Sequence, residues 1–207
     1  MSKYIWILDP GHGGIDPSTG DYVTAGKRSP IWEDGSVYYE GVGNRDIVER
    51  INELCSSEGI LSINIVNSWK DVSLKERVRR ANILYGHSDK CIYVSVHSNG
   101  FSKESAHGYS VYTSPGQTRS DKYADILLGY MELEFPDHKL RKDMRDSDLD
   151  KEAAFYVLRK TKMPAILSEN FFMTNKKECQ LLLTPEFRQR IAECHFKMIK
   201  NIEKNEK

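Results

Sequence analysis

Apolar residues fall into two rhythms along this chain. The runs KYIWIL (residues 3–8), ILSINIV (60–66), CIYVSVHSN (91–99), GYSVYTS (108–114) and MPAILSENFF (163–172) are short and apolar or alternating, which predicts β-strands. Between them, Ile47, Ile51, Leu54 and Cys55 recur at helical spacing from Asn44 until Gly59 interrupts. SLKERVRRANILYG opens with Ser73 and Glu76 as a capping box and predicts a helix closed by Gly86 at C′. A further helix is expected over residues 121–135, and Thr184-Pro185 starts a last one that runs into a lysine-rich tail. Strands alternating with helices predict an α/β fold whose mostly parallel sheet is covered on both faces. Residues 15–39 follow neither rhythm and read as a long loop, polar, glycine-rich and dotted with aromatics.

At 207 residues, with no repeat or low-complexity linker, the chain is expected to form one domain over 1–207 with no second module. Apolar residues at 39% and charged residues at 29% give the balance of an ordinary folded protein, not a disordered one. Thirty basic and thirty acidic side chains cancel, so no global field draws the protein to nucleic acid or an anionic membrane, and neither partner is expected. No apolar stretch approaches the roughly 20 residues that span a bilayer. The amino terminus lacks a long apolar core with a cleavage site, so synthesis in the cytoplasm without a signal peptide is expected. Cys55, Cys91, Cys179 and Cys194 share no close ligand spacing and read as buried free thiols. The expected oligomeric state is a monomer.

Candidate chemistry sits where strands end. Ligands of open α/β sheets bind outside the carboxyl ends of the strands. Three apolar strands here deliver His12, His97 and Glu169 at that end, and Glu40 approaches from the loop side. Two imidazoles and a carboxylate with an open fourth position suit catalytic zinc, while a second carboxylate can serve as general base. From the residues alone, Glu33, Asp34 and Glu40 are equal candidates for the carboxylate ligand. Asp9 reads either as a turn residue or as the group that orients His12. His87, His107, His138 and His195 have no comparable placement. For substrate, Asn99, Tyr112, Arg145 and Asn170 are candidates, and Trp32, Tyr38 and Tyr39 either stack on substrate or anchor their loop.

At these residues the chain resembles the zinc-dependent N-acetylmuramoyl-L-alanine amidases of the type 3 family, a group that includes cell-separation amidases and phage endolysins. LDPGHGG (8–14), YYEGVGNRDI (38–47), SLKERVRRAN (73–82), VSVHSNG (94–100) and YVLRKTKMPAILSENFFMTN (156–175) resemble the family's segments in their order. The resemblance implies His12, Glu40 and His97 as Zn²⁺ ligands, choosing Glu40 over Glu33 and Asp34, with Glu169 as the catalytic carboxylate. It implies a twisted six-stranded sheet with helices on both sides, and hydrolysis of the amide joining N-acetylmuramic acid to L-alanine in peptidoglycan. Asn170-Phe171 stands where the family usually has Gly-Phe. The missing signal peptide favours a phage or prophage lysin that reaches the wall after release. Two other readings compete: a zinc carboxypeptidase or endopeptidase acting on stem peptides, and a peptidoglycan-binding module without turnover.

Overall fold

Strand β1 (Ile5–Pro10) is pleated so that Trp6 and Leu8 join one apolar cluster and Ile7 another, all three fully buried. Such a strand belongs inside a sheet with helices on either face. The computed structural model, which describes residues 2–144 and 148–206, has that arrangement. The other strands are β2 (Ser62–Asn64), β3 (Cys91–Asn99), β4 (Ser110–Thr113), β5 (Lys151–Glu152) and β6 (Ala165–Phe172). Among the described residues they form one six-stranded sheet in the order β2-β1-β3-β6-β4-β5. The first four in that order are parallel, β4 runs antiparallel to β6, and β5 is parallel to β4. The predicted α/β fold with a mostly parallel sheet is therefore observed.

Helices α1 (Glu40–Ser57), α3 (Arg119–Glu134), α5 (Lys176–Leu183) and α6 (Pro185–Asn205) cover the face that carries Trp6, Ile92, Val94 and Ile166. The shorter α2 (Leu74–His87) and α4 (Tyr156–Lys160) cover the other, against Ile7, Tyr93 and Leu167. Because side chains alternate along a strand, Ser95, His97 and Glu169 stand on the α2/α4 face, and Ser168 on the α6 face. No helix among the described residues is long and apolar enough to cross a membrane.

Several boundaries differ from the sequence pattern. Helix α1 starts at Glu40, not near Asn44, so Glu40 is a helical residue and not a loop residue. Gly41 and Gly43 hide the first turn from hydrophobic periodicity. Gly41 is required there, because a Cβ would lie 1.8 Å from the Gly13 carbonyl oxygen. Gly86 lies inside α2 and not at C′; Ser88 is the C-cap. Strand β2 keeps only three residues of the predicted seven. The predicted capping by Ser73 is present, its hydroxyl accepting from the Glu76 N–H at 3.3 Å. Strand β5 and helices α4 and α5 are too short for periodicity to announce. All four cysteines are buried and unbridged, and burial pushes the Cys55 and Cys194 thiols up to about 12.

His195 of α6 is fully buried beneath the sheet. Its Nδ1–H donates to the Ile191 carbonyl at 2.9 Å, and Nε2 accepts from the Ser168 hydroxyl at 2.9 Å. Burial lowers its pKa from 6.5 to about 4. Between those values the unfolded chain binds a proton that the folded chain excludes, so stability present above pH 6.5 is lost as pH falls toward 4. That loss amounts to about 3 kcal/mol. Between pH 7.5 and pH 4.5, urea unfolding is expected to show a change in stability that is more favourable in His195→Gln than in the wild type by about that amount.

Candidate metal centre and cleft

The site is assembled at the carboxyl ends of β1, β3 and β6. Register pairs His97 with Glu169 across adjacent parallel strands, on the same face of the sheet. The Gly11 N–H still bonds the Val96 carbonyl at 3.0 Å, and the chain then turns sharply. His12 makes that turn in the left-handed region, φ 64°, which disfavours a residue with a Cβ. Arg77 of α2 holds the turn. Its buried guanidinium pairs with Asp9 and donates to the carbonyls of Pro10 at 2.7 Å, His12 at 3.0 Å and Val72 at 2.8 Å. Asp9 also accepts from the Tyr93 hydroxyl and, at 3.0 Å, from Ser95. Asp9 therefore does not touch the His12 ring; it acts on His12 through Arg77.

Glu40 reaches the site from the first turn of α1. Its Oε1 lies 3.2 Å from His12 Nε2 and 3.1 Å from His97 Nδ1, and accepts from the Ser98 N–H at 3.3 Å. Burial raises the Glu40 carboxyl, but the bonds to His12 and His97 outweigh it and hold the group at about 2. Donor atoms of His12, Glu40 and His97 all lie within 4.8 Å of one another. The two rings stand 88° apart with centroids at 5.0 Å. Two imidazole nitrogens and one ionised carboxylate oxygen around a common point fit a borderline-soft divalent ion.

Glu169 completes the group. Its Oε2 is buried without a hydrogen-bond partner. Burial pushes its carboxyl up to about 7, against the lowering charge of His97. A buried polar atom left bare is destabilising, and such positions concentrate at functional sites. His12, His97 and Glu169 line a cleft of about 600 Å³, with Lys27, Leu74 and Phe155 also on its walls.

The loop before α1 builds this site. The Glu40 N–H bonds the Lys27 carbonyl at 3.0 Å, and the Gly41 N–H bonds the Tyr22 hydroxyl at 2.9 Å. Tyr38 is buried with its hydroxyl 3.1 Å from Ser98, Tyr39 packs on Tyr22 at 4.5 Å, and Trp32 Nε1 donates to Cys179 Sγ at 3.1 Å. All three aromatics anchor the loop, and substrate stacking by the buried Tyr38 is ruled out.

The proposed substrate contacts fare unevenly. Asn170 is buried, and its amide donates to the His97 carbonyl and to Ser168, each at 3.0 Å. It sits in a bulge of β6, where three steps from Glu169 to Phe172 face two from His97 to Asn99, and Phe171 takes φ 64°. Asn170 thus secures the bulge through its amide nitrogen. Asn99 accepts from the neighbouring Gly100 N–H at 2.8 Å, as a turn residue, and lies off the cleft wall. Tyr112 packs on Phe155 at 5.2 Å. Arg145 lies outside the described residues.

A family model described as N-acetylmuramoyl-L-alanine amidase matches residues 7–201. The chain belongs to this amidase family. Among its relatives, the N-acetylmuramoyl-L-alanine amidase LytC of Bacillus subtilis is 27% identical over 189 residues, 90% of this chain and 33% of that protein. The endolysin of Bacillus phage SPP1 is 28% identical over 214 residues, 98% of this chain and 66% of that protein. The chain thus spans about a third and about two thirds of the lengths of these two relatives. Among solved structures, the N-acetylmuramoyl-L-alanine amidase from Clostridium difficile 630 shares the fold, with TM-score 0.77 and 23% identity over 100% of both chains.

Within this amidase-family chain, two residues escaped functional reading of the sequence. Arg77 lies in a recognisable helix segment, yet only the fold shows its bonds to the His12 turn. Lys27 belongs to an unpatterned loop and carries no signal at all.

Gly11 supplies a direct test of the metal centre. A Cβ there would lie 2.1 Å from His97 Cε1, so Gly11→Ala must displace that ring. We expect metal affinity to fall at least about tenfold in chelator competition, with circular dichroism unchanged. Full affinity in the folded variant would separate His97 from the metal.

Proposed function

We propose that the protein is a zinc-dependent N-acetylmuramoyl-L-alanine amidase, acting on peptidoglycan. The bond hydrolysed is the amide between the lactyl group of N-acetylmuramic acid and the first L-alanine of the stem peptide. One observation carries the reading: His12, Glu40 and His97 converge beside the bare carboxylate oxygen of Glu169. The family match over residues 7–201 supports the substrate class.

In this reading His12, Glu40 and His97 hold Zn²⁺, and His97 is positioned by its bond to Glu40. When bound, the ion supplies Lewis acidity to the scissile carbonyl and to water in the cleft. Glu169 takes the proton of the attacking water at its unpartnered oxygen. It then delivers that proton to the alanine nitrogen as the C–N bond breaks. Asp9 and Arg77 keep the His12 turn in place while the substrate occupies the cleft.

The likeness to the SPP1 endolysin over 98% of this chain supports a lytic role of the phage or prophage type. The unit that performs it is this catalytic domain, working as a monomer on the wall, with neither nucleic acid nor membrane as its substrate.

Mass spectrometry of digested sacculi tests the bond. Stem peptides with a free amino-terminal alanine are expected; trimmed stem peptides would instead identify a peptidase. Glu169→Gln is expected to keep near-stoichiometric zinc while losing about 10²- to 10⁴-fold in turnover. His97→Ala should lose zinc and turnover together, by metal analysis and amine release. Near-wild-type cleavage by either variant would overturn its assignment.

A further inference from the structure

The cleft presents unpaired charge beside unpaired apolar surface. On its walls Leu74, Phe155 and Tyr156 are 53%, 38% and 41% exposed. Side chains of this kind, gathered at one cleft, mark a surface that a ligand covers. Two cations line the same space. Arg77 is consumed by Asp9 and by three carbonyl groups. Asp71, also on the wall, accepts from the Thr24 hydroxyl at 2.7 Å and lies 3.8 Å from Arg77.

Lys27 differs from both. Among the described residues its ammonium group has no hydrogen bond or ion pair. Its backbone, by contrast, is fastened. The Lys27 carbonyl accepts from the Glu40 N–H at 3.0 Å and from the Tyr22 hydroxyl at 2.9 Å, and its N–H bonds the Thr24 carbonyl at 2.8 Å. Lys27 is exposed on the cleft wall, close enough for its charge to act on Glu169. An unpaired cation beside apolar surface suits a ligand that is anionic on one side and apolar on the other.

We propose that Lys27 is a specificity-determining residue that pairs with a free carboxylate of the stem peptide, next to the scissile amide. Leu74, Phe155 and Tyr156 receive the apolar side of the same peptide and exclude water, which strengthens the pairing. This inference rests on the amidase reading above and names the substrate form that the cleft selects.

The test uses two soluble N-acetylmuramoyl dipeptides that differ only in the second residue, acidic with a free α-carboxylate or its carboxamide. Lys27→Met keeps the apolar stem and leaves the backbone bonds to Glu40 and Tyr22 in place. It is expected to raise KM for the carboxylate substrate about three- to fivefold and to leave KM for the carboxamide substrate unchanged, while any change in kcat from the charge lost near Glu169 is the same for both substrates. Lys27→Arg should restore discrimination, and zinc content should be the same in all three proteins. An equal rise in KM on both substrates, or on neither, overturns the proposal. If the wild type cleaves neither fragment, the digestion of sacculi still decides the amidase reading, and binding decides the role of Lys27. Calorimetric titration of Glu169→Gln with both fragments should show a preference for the carboxylate form that Lys27→Met abolishes; absence of any preference overturns the proposal.

Discussion

Asp9 and Arg77 are almost completely buried, 1% and 2% exposed, and face each other as an ion pair. Removing either partner would strand a charge in the interior, a penalty of about 3–5 kcal/mol. The pair escapes that penalty by satisfying nearly every polar atom it carries. Tyr93 and Ser95 donate to the carboxylate from β3, and the guanidinium donates to carbonyls of Pro10, His12 and Val72. One ion pair therefore joins the end of β1, the start of α2 and the middle of β3. It also fixes His12 in a backbone conformation that costs about 1 kcal/mol or more for a residue with a side chain.

Around this joint the sheet does the placing. Parity along the strands sends Asp9, Ser95, His97 and Glu169 to the α2/α4 face and reserves the other face for the larger apolar core. The bulge at Asn170 and Phe171 ends the regular pairing of β3 with β6 just past His97 and Glu169. Asn170 returns the structure's hold on that irregular point by bonding the His97 carbonyl. Helix α1 contributes Glu40 from its first turn, which the loop of residues 15–39 pins through Lys27 and Tyr22.

The sequence made the long elements readable, because β1, β3, β6 and α6 carry enough apolar residues to impose a period. It also showed which strand ends bear His12, His97 and Glu169, since each polar residue interrupts an apolar run. The start of α1 was hidden because Gly41 and Gly43 are chosen for close backbone approach and lack the apolar period. The choice of Glu40 over Glu33 and Asp34 came from resemblance to a family, as residue type alone does not separate three carboxylates in one loop. The structural role of Asn170 was hidden for a related reason: whether a polar residue at a strand end lies in a bulge depends on register. Register is a property of two strands, and a single stretch of sequence carries only one of them.

The four cysteines have a consequence for where such a fold can work. Each thiol is buried, and burial pushes those of Cys55 and Cys194 up to about 12 and raises that of Cys91, so little thiolate forms at these three positions. No disulfide contributes to the architecture, and all four sulfurs lie out of solvent. The domain can thus pass between reducing and oxidising surroundings without changing its covalent state.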